Sequence, residues 1–476
     1  MTLRLLNIHI IAIIASLFTL ASCSDDESFT SDSNAILTFS HDTIAFDTLF
    51  TTIASSTERF NVYNSNNSGL RIAKVELESG GSSGFKMNVD GQYGTTLESV
   101  EIQKKDSIFI FVEVKVPEVE GNLPVKVTDR IIFTLQSGVK QSVALEAWGQ
   151  NCKQIKSPVI TTNTTFSNEL PIIIYDSLVI KEGATLTIPA GTTICMHNYA
   201  DINVHGNLNI EGTIANPVVI RGDRMDRLFP YLPYDRLDKQ WSGIKVYDTS
   251  TGINIDNADI HSGSYGIYAA DVKGKIQITN TSIHNFAWTG LSLENCDALI
   301  ANCQITNCGS DCVSIFGGKQ DFYHCTIGQF YPWAADRGNA VTASNSIGGT
   351  IDCIIEKANF YNCLITGYAN DEVMGDFGNQ DYLNIHFFNS LVNTDISDPT
   401  YFTECTGDSK DAEIRHDKHF KTIDIDTYYY DFRLDSLSRA IGVGSSAYSA
   451  LYPIDKNGNK RSDKPSVGCY EFVGNK

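Results

Sequence analysis

The chain has 476 residues, long enough for two or three domains that each bury a core. It is 42% hydrophobic and 19% charged, and 56 acidic against 36 basic residues give a formal net charge of -20. That balance excludes nucleic acid as a charge-driven partner and disfavours anionic headgroups, because phosphate binding needs a surface rich in lysine and arginine.

At the N-terminus Arg4 precedes an apolar stretch from Leu5 to Leu20, followed by Leu20-Ala21-Ser22-Cys23. The stretch is shorter than the about 20 apolar residues of a spanning helix. It is also interrupted by Asn7 and His9, so residues 1–23 read as a cleaved signal peptide. Leu20-Ala-Ser-Cys23 resembles the bacterial lipobox. That resemblance implies that Cys23 becomes the new N-terminus and carries acyl chains, several of which together hold a membrane durably. Ser24-Asp-Asp-Glu27 is similar to the surface-export tag of some Gram-negative lipoproteins, which implies display on the outer membrane. The alternative is an ordinary secretory peptide with a chance cysteine. Residues 24–35 are polar and acidic without an apolar period and read as a flexible tether. Setting Cys23 aside leaves eleven of the twelve cysteines, an odd number that excludes complete pairing within one chain. No C-x-x-C occurs, and the close pair Cys308 and Cys312 stands alone, which argues against a zinc ribbon or redox motif.

Residues 36–150 carry short β-rich runs, among them Ile36–Phe39, Phe60–Tyr63, Leu70–Val75 and Ser107–Val116, separated by Ser/Asn/Gly clusters. About seven such strands predict a β-sandwich. Phe60 and Asn64, Leu70-Arg-Ile72, Phe85, Val100-Glu-Ile102, Asp106-Ser-Ile108 and Leu145-Glu-Ala-Trp-Gly149 resemble immunoglobulin-like modules of the abnormal-spindle type. The resemblance implies a spacer or adaptor and no functional residue.

A repeat follows. Asn257-Ala-Asp-Ile260, Asn280-Thr-Ser-Ile283, Asn302-Cys-Gln-Ile305, His324-Cys-Thr-Ile327, Asn362-Cys-Leu-Ile365 and Asn389-Ser-Leu-Val392 share one frame, with steps of 23, 22, 22, 38 and 27 residues. A second frame runs in phase through Gly243-Ile-Lys-Val246, Gly266-Ile-Tyr-Ala269, Gly290-Leu-Ser-Leu293, Cys312-Val-Ser-Ile315 and Ala340-Val-Thr-Ala343. Strand alternation sends Ile244, Ile267, Leu291, Val313 and Val341 inward. It also makes interior columns of Ala258, Thr281, Cys303, Cys325, Cys363 and Ser390, read as small apolar residues with buried thiols, and of Ile260, Ile283, Ile305, Ile327, Ile365 and Val392. A coil of about 22 residues holds three short strands, each pairing with its equivalents above and below. Asn257, Asn280, Asn302, Asn362 and Asn389 suit a tight left-handed bend and stack as an amide ladder, which His324 interrupts beside a loop insertion.

With Leu178–Ile180, Ala184–Ile188 and Ile202–Val204 as opening turns, the region resembles the right-handed parallel β-helix family of pectate-lyase-like and related proteins. The expected fold is all-β, with a sandwich over 36–150, a right-handed parallel β-helix over 151–400 and a closing segment over 401–476. Asp431–Leu434, Ala440–Gly442, Asp455–Arg461 and Val467–Glu471 resemble the closing segment of exported bacterial β-helix proteins, with Cys469 where a small residue is usual.

The resemblance implies that an enzyme on this fold would use clustered carboxylates on one outward face. The outward rows are Lys245, Tyr268, Ser292, Ser314 and Thr342, then Tyr247, Ala270, Glu294, Phe316 and Ser344, with Glu294 their single carboxylate. Inserted loops at 221–241, 328–350 and 366–383 bring Trp333, Asp336 and Arg337, and Asp371, Glu372, Asp376 and Asp381. These acids read first as solvated loop residues. His261 and His284 read as surface histidines without a metal partner, and Asp455-Lys-Asn-Gly-Asn459 as a turn, because Ser466 stands where a calcium loop needs an acid. No catalytic residue, cofactor or metal is assigned. Lys245, Tyr247, Tyr268, Glu294 and Phe316, with Trp288 and Trp333 from the loops, are the candidate ligand-binding residues, because aromatic rings stack on sugars. Two readings compete. One is a displayed, non-catalytic lipoprotein for adhesion or polysaccharide binding; the other is a polysaccharide lyase or glycoside hydrolase with loop-borne acids.

Overall fold

The computed structural model describes residues 28–349, 351–378, 382–409 and 415–474. Cys23, Ser24-Asp-Asp-Glu27 and Asp381 lie outside the described residues. The chain forms two compact units, one ending at Gln150 and one beginning at Asn151, with Glu120–Leu123 belonging to the second.

In the first unit a six-stranded and a five-stranded sheet share one core. Alternation decides which side chains enter it. In Ser107–Val114, Ile108, Ile110, Val112 and Val114 are buried while Phe109 and Phe111 face out. Buried Asn64 donates its amide to the carbonyls of Ser68, Ile102 and Gln103 at 2.9–3.0 Å, which joins two corners of the sandwich. Ordered structure begins inside the segment expected as a tether. Phe29–Thr30 pairs in parallel with Gly69–Leu70, and a Cβ at Gly69 would meet the Phe29 ring at 2.8 Å. The missing side chain at Gly69 makes that seat.

The second unit is a right-handed parallel β-helix. Its first face has eleven strands, from Lys153–Lys156 to Thr406–Gly407. The second runs from Val159–Ile160 to Val373–Asp376 and the third from Thr164–Thr165 to Phe402–Thr403. Leu291–Ala301 and Val313–Tyr323 pass through both of the latter. The inward column Ile244, Ile267, Leu291, Val313 and Val341 is buried to within 1%. On the third face Phe322, Phe360, Phe387 and Phe402 stack inside with centroids 4.5, 4.9 and 5.1 Å apart.

The repeated asparagines occupy left-handed backbone, with φ of 50° at Asn257, 52° at Asn280, 53° at Asn302, 52° at Asn362 and 46° at Asn389. His324, at 50°, keeps the same conformation. Their side chains form a mixed ladder. Asn302 donates to Asn280 at 3.1 Å, whereas Asn280 donates to Asp256 at 2.8 Å and Asn389 to Glu404 at 2.8 Å. Ala258 after the first bend is a small apolar filler as read from sequence, but the residues after the other five bends do more. Thr281, Cys303, Cys325, Cys363 and Ser390 each donate to the carbonyl two residues back, at 2.7–3.5 Å. Each of these carbonyls also accepts the backbone N–H of the bend one coil earlier, from Asn257, Asn280, Asn302, His324 and Asn362, so the side chain is its second donor. No disulfide joins any of the eleven cysteines among the described residues.

The residues after 415 lie along the flank of the coils. Asn302 donates to the Ile454 carbonyl at 2.9 Å and accepts from buried Arg461 at 2.7 Å. His324 Nε2 meets Ser449 Oγ at 2.9 Å, and Asn362 exchanges hydrogen bonds with Ser445 at 2.8 Å in both directions. The histidine rung is therefore explained by the docked segment, not by the inserted loop. Asp455 takes the backbone N–H groups of Asn457, Asn459 and Glu471 at 2.7–2.9 Å, so its carboxylate holds a turn, in keeping with the turn reading.

Replacing Asn302 with Val should cost about 3–5 kcal/mol, combining a strained left-handed bend with loss of the hydrogen bond from the buried Arg461 guanidinium and of those to Ile454 and Asn280. Asn302→Gly keeps the bend and should cost about 1–3 kcal/mol less. Urea denaturation followed by circular dichroism measures both; equal losses would show that the bend carries no strain.

Candidate functional site

Two inserted loops and the flanking C-terminal segment build a cleft at the edge where the first face turns into the second. In the loop 221–241, Arg227–Phe229 pairs with Leu232–Pro233 and Tyr234–Arg236 forms one 3-10 turn. The loop is fastened by Trp241, fully buried, whose indole N–H donates to the His261 carbonyl at 2.8 Å. In the loop 328–350 buried Phe330 packs against Phe420 and Phe432, with centroids 5.7 and 5.9 Å away. Three residues on, Trp333 stacks on Tyr428 at 4.2 Å.

Between these walls lies a cleft of about 760 Å³ whose lining includes Phe229, Tyr231, Trp288, Tyr331, Trp333 and Tyr428. Trp288 is 52% exposed, Trp333 41% and Tyr231 50%, so broad ring surface faces water instead of filling a core. Phe229 stacks on Tyr231 at 5.7 Å, giving a second fixed aromatic pair. Asp238, Lys239 and Asp336 supply charge. Asp238 accepts the Tyr331 hydroxyl, and burial raises its carboxyl above the usual range although that hydrogen bond and Lys239 oppose the shift. Burial and the same contact push the Tyr331 phenol up.

Of the sequence candidates, the cleft takes Trp288 and Trp333. Lys245, Tyr268, Glu294 and Phe316 instead form a strip on the second face. Lys245 pairs in register with Tyr268, and Glu294 with Phe316. Tyr268 donates to Glu294 at 2.9 Å, and burial together with that bond pushes its phenol up to about 12. Tyr247 sits at the edge of the strip, stacked on His205 at 4.2 Å and donating to Asn203 at 2.9 Å. The sequence reading missed Phe229, Tyr231, Tyr331, Tyr428 and Asp238. Their signal was the clustering of aromatics inside the inserted segments, at Phe229-Pro-Tyr231, Phe330-Tyr-Pro-Trp333 and Tyr428-Tyr-Tyr430.

The acids named from sequence do not converge on the second face. Glu294 and Asp376 share one row but stand three strands apart, through Phe316 and Ser344. At about 4.8 Å per strand their backbones are separated by about 14 Å, beyond the roughly 5–9.5 Å of glycosidase carboxylate pairs. Asp371 is exposed and lines a different hollow with Asp395 and Asp408. Glu372 corrects the reading of these acids as solvated. It is fully buried and accepts the backbone N–H groups of Ala340 at 2.9 Å and Ala369 at 2.8 Å. Burial raises its carboxyl to about 7 against the opposing pull of those donors. His261 also departs from its surface reading. It is 4% exposed, with its ring stacked on His284 at 4.9 Å, and Asp259 lies 2.9 Å from His284 Nε2.

Residues 239–380 match the family model described as a right handed beta helix region. No curated protein matches the chain. Solved structures to which part of it is similar include the VesB protease of Vibrio cholerae, at 12% identity over 24% of this chain and 31% of that one, with a TM-score of 0.17. A family 123 glycoside hydrolase from Clostridium perfringens is similar at 12% identity over 24% of this chain and 26% of that one, with a TM-score of 0.18. A PapD-like domain of human CEP192 is similar at 11% identity over 25% of this chain and 85% of that one, with a TM-score of 0.17. The chain thus spans less than a third of the length of the first two.

Glu372 sets a pH dependence with a definite sign. Its carboxyl moves from 4.5 to about 7 on folding, so its contribution is fully present below 4.5 and declines as pH rises to about 7. Glu372→Gln should flatten that decline, which is on the order of 3 kcal/mol. Urea midpoints of both proteins from pH 4 to 8 give the comparison, and parallel profiles would refute the assignment.

Proposed function

We propose that this chain is a lipid-anchored protein, held to the outer membrane through Cys23 and displayed at the cell surface, that captures polysaccharide in the aromatic cleft without chemical turnover. The observation that carries the reading is the cleft itself, where Trp288, Trp333 and Tyr231 keep about half their surface in water within a space of about 760 Å³. Rings held in stacked pairs present flat apolar faces to sugar C–H groups, while Asp238, Lys239 and Asp336 offer partners to hydroxyls. The strip of Lys245, Tyr268, Glu294 and Phe316, with Tyr247 beside it, is the surface on which a longer glycan would continue. The lipobox, the export tag and an immunoglobulin-like spacer support display for adhesion to a glycan-bearing surface.

A second reading, glycoside hydrolysis, rests on Asp238. Its raised carboxyl and the presence of Asp336 in the same cleft are the features a general acid with a partner carboxylate would have.

Glycan-array binding by the full chain in detergent, followed by calorimetry on the best ligand, tests capture. Trp288→Ala and Trp333→Ala should each weaken binding at least tenfold, about 1.4 kcal/mol, with the fold retained by circular dichroism. Unchanged affinity in both would remove the cleft from the reading. Product release abolished by Asp238→Asn would establish the hydrolase instead.

A further inference from the structure

The first face carries a polar cluster that the cleft does not use. Ala258–His261 points Asp259 and His261 to the same side, and Ser282–Phe286 places His284 in register with His261. One donor atom from each of Asp259, His261 and His284 lies within 4.8 Å of the other two. Asp235, from the loop 221–241, reaches the same place, with its Oδ1 3.7 Å from His261 Nε2.

The hydrogen bonds around His261 settle which of its nitrogens carries a lone pair. Ser262 Oγ donates its single hydrogen to the Asp235 carbonyl at 2.9 Å. At 2.7 Å from His261 Nδ1 the hydroxyl must therefore accept, so Nδ1 holds the ring hydrogen and Nε2 of the neutral ring is bare. That lone pair faces Asp235 Oδ1, a buried oxygen that receives no hydrogen bond although Arg221 Nη1 lies 2.7 Å away. The bare nitrogen and that carboxylate oxygen thus face each other 3.7 Å apart, with Arg221 paired to the oxygen, and offer two ligand atoms to a cation. The Ser262 contact is also the kind of outer-shell bond that orients a histidine ligand.

We propose that Asp259, His261 and His284 bind a divalent transition-metal cation, with zinc the best match to two imidazoles and a carboxylate. Asp235 or a water completes four ligands. With bonds of about 2.0–2.1 Å, tetrahedral zinc places ligand atoms about 3.4 Å apart, so the side chains close by about 1 Å on binding. Asp259 and His284 have room for this, their side chains being 41% and 22% exposed. His284 Nε2 donates its hydrogen to Asp259 at 2.9 Å; as the cation takes that place the neutral ring carries its hydrogen on Nδ1 instead, by exchange with solvent. The cation would clip the loop 221–241, through Asp235, to two successive coils.

The test uses the full chain in detergent, without a histidine tag and stripped with chelator. Zinc is titrated by calorimetry, and cobalt by visible absorption. One equivalent should bind below ~10 µM with a tetrahedral cobalt band. Asp259→Asn and His284→Ala should each weaken it at least tenfold, while His197→Ala, an exposed histidine paired with Asp223, should leave it unchanged. Circular dichroism establishes that each variant is folded; Asp259→Asn, nearly isosteric, decides the matter if His284→Ala is not. Absence of the equivalent, or equal affinity in folded Asp259→Asn, overturns the site.

Discussion

The left-handed bend that opens the first-face strands from Ala258–His261 to Leu391–Val392 is the constraint on which the regular coils of the second unit depend. A parallel solenoid needs every coil to turn at the same angular position, since a one-residue slip would send each inward side chain to the solvent face. Asparagine meets the requirement because it tolerates positive φ and its amide reaches the neighbouring rung. The bend has a second consequence: the residue after it can place a side-chain hydrogen on the carbonyl two residues back, which already accepts the bend N–H of the preceding coil. Thr281, Cys303, Cys325, Cys363 and Ser390 do so with different atoms but one geometry. The cysteines thus belong with the serine and threonine by hydrogen bonding as well as by size.

The same bends hold the C-terminal segment. Asn302, His324 and Asn362 stand on consecutive rungs and turn their polar atoms toward Ile454, Arg461, Ser449 and Ser445. A solenoid flank made only of hydrocarbon would give such a segment area but no register. The amides fix its position, and the cluster of Leu364, Leu391, Phe420, Phe432, Leu434 and Val467 adds the burial.

Period-two alternation and a step of about 22 residues were enough to read the coil, its inward columns and its bends, because each of these is a local property repeated. What lies over an outward side chain is a different kind of fact. His261 and Glu372 are outward by alternation or loop-borne by position, yet both are buried, because distant or inserted chain covers them. The cleft was half legible for the same reason. Trp288 and Trp333 belong to the repeat region and were visible as loop aromatics, while Tyr428 arrives from the flanking segment, whose path depends on contacts such as Arg461 with Asn302. The carboxylate-poor second face was legible, and the strand spacing between Glu294 and Asp376 gives that reading its metric form.

The ladder and the cleft are consequently parts of one arrangement. Phe420 and Phe432, on the flanking segment, grip Phe330, and Trp333 three residues later rests on Tyr428 of that same segment. The aromatic wall is therefore held in place from outside the solenoid, by a segment whose seat is set by the asparagine bends. A rigid coil provides a flat face, on which outward groups repeat at about 4.8 Å and gather poorly around a small ligand. Folding a separate segment down onto that coil, and trapping loop aromatics between the two, converts a flat repeat into a concave surface. Concavity here comes from the parts that break the repeat, and the regular bends fix where those parts sit.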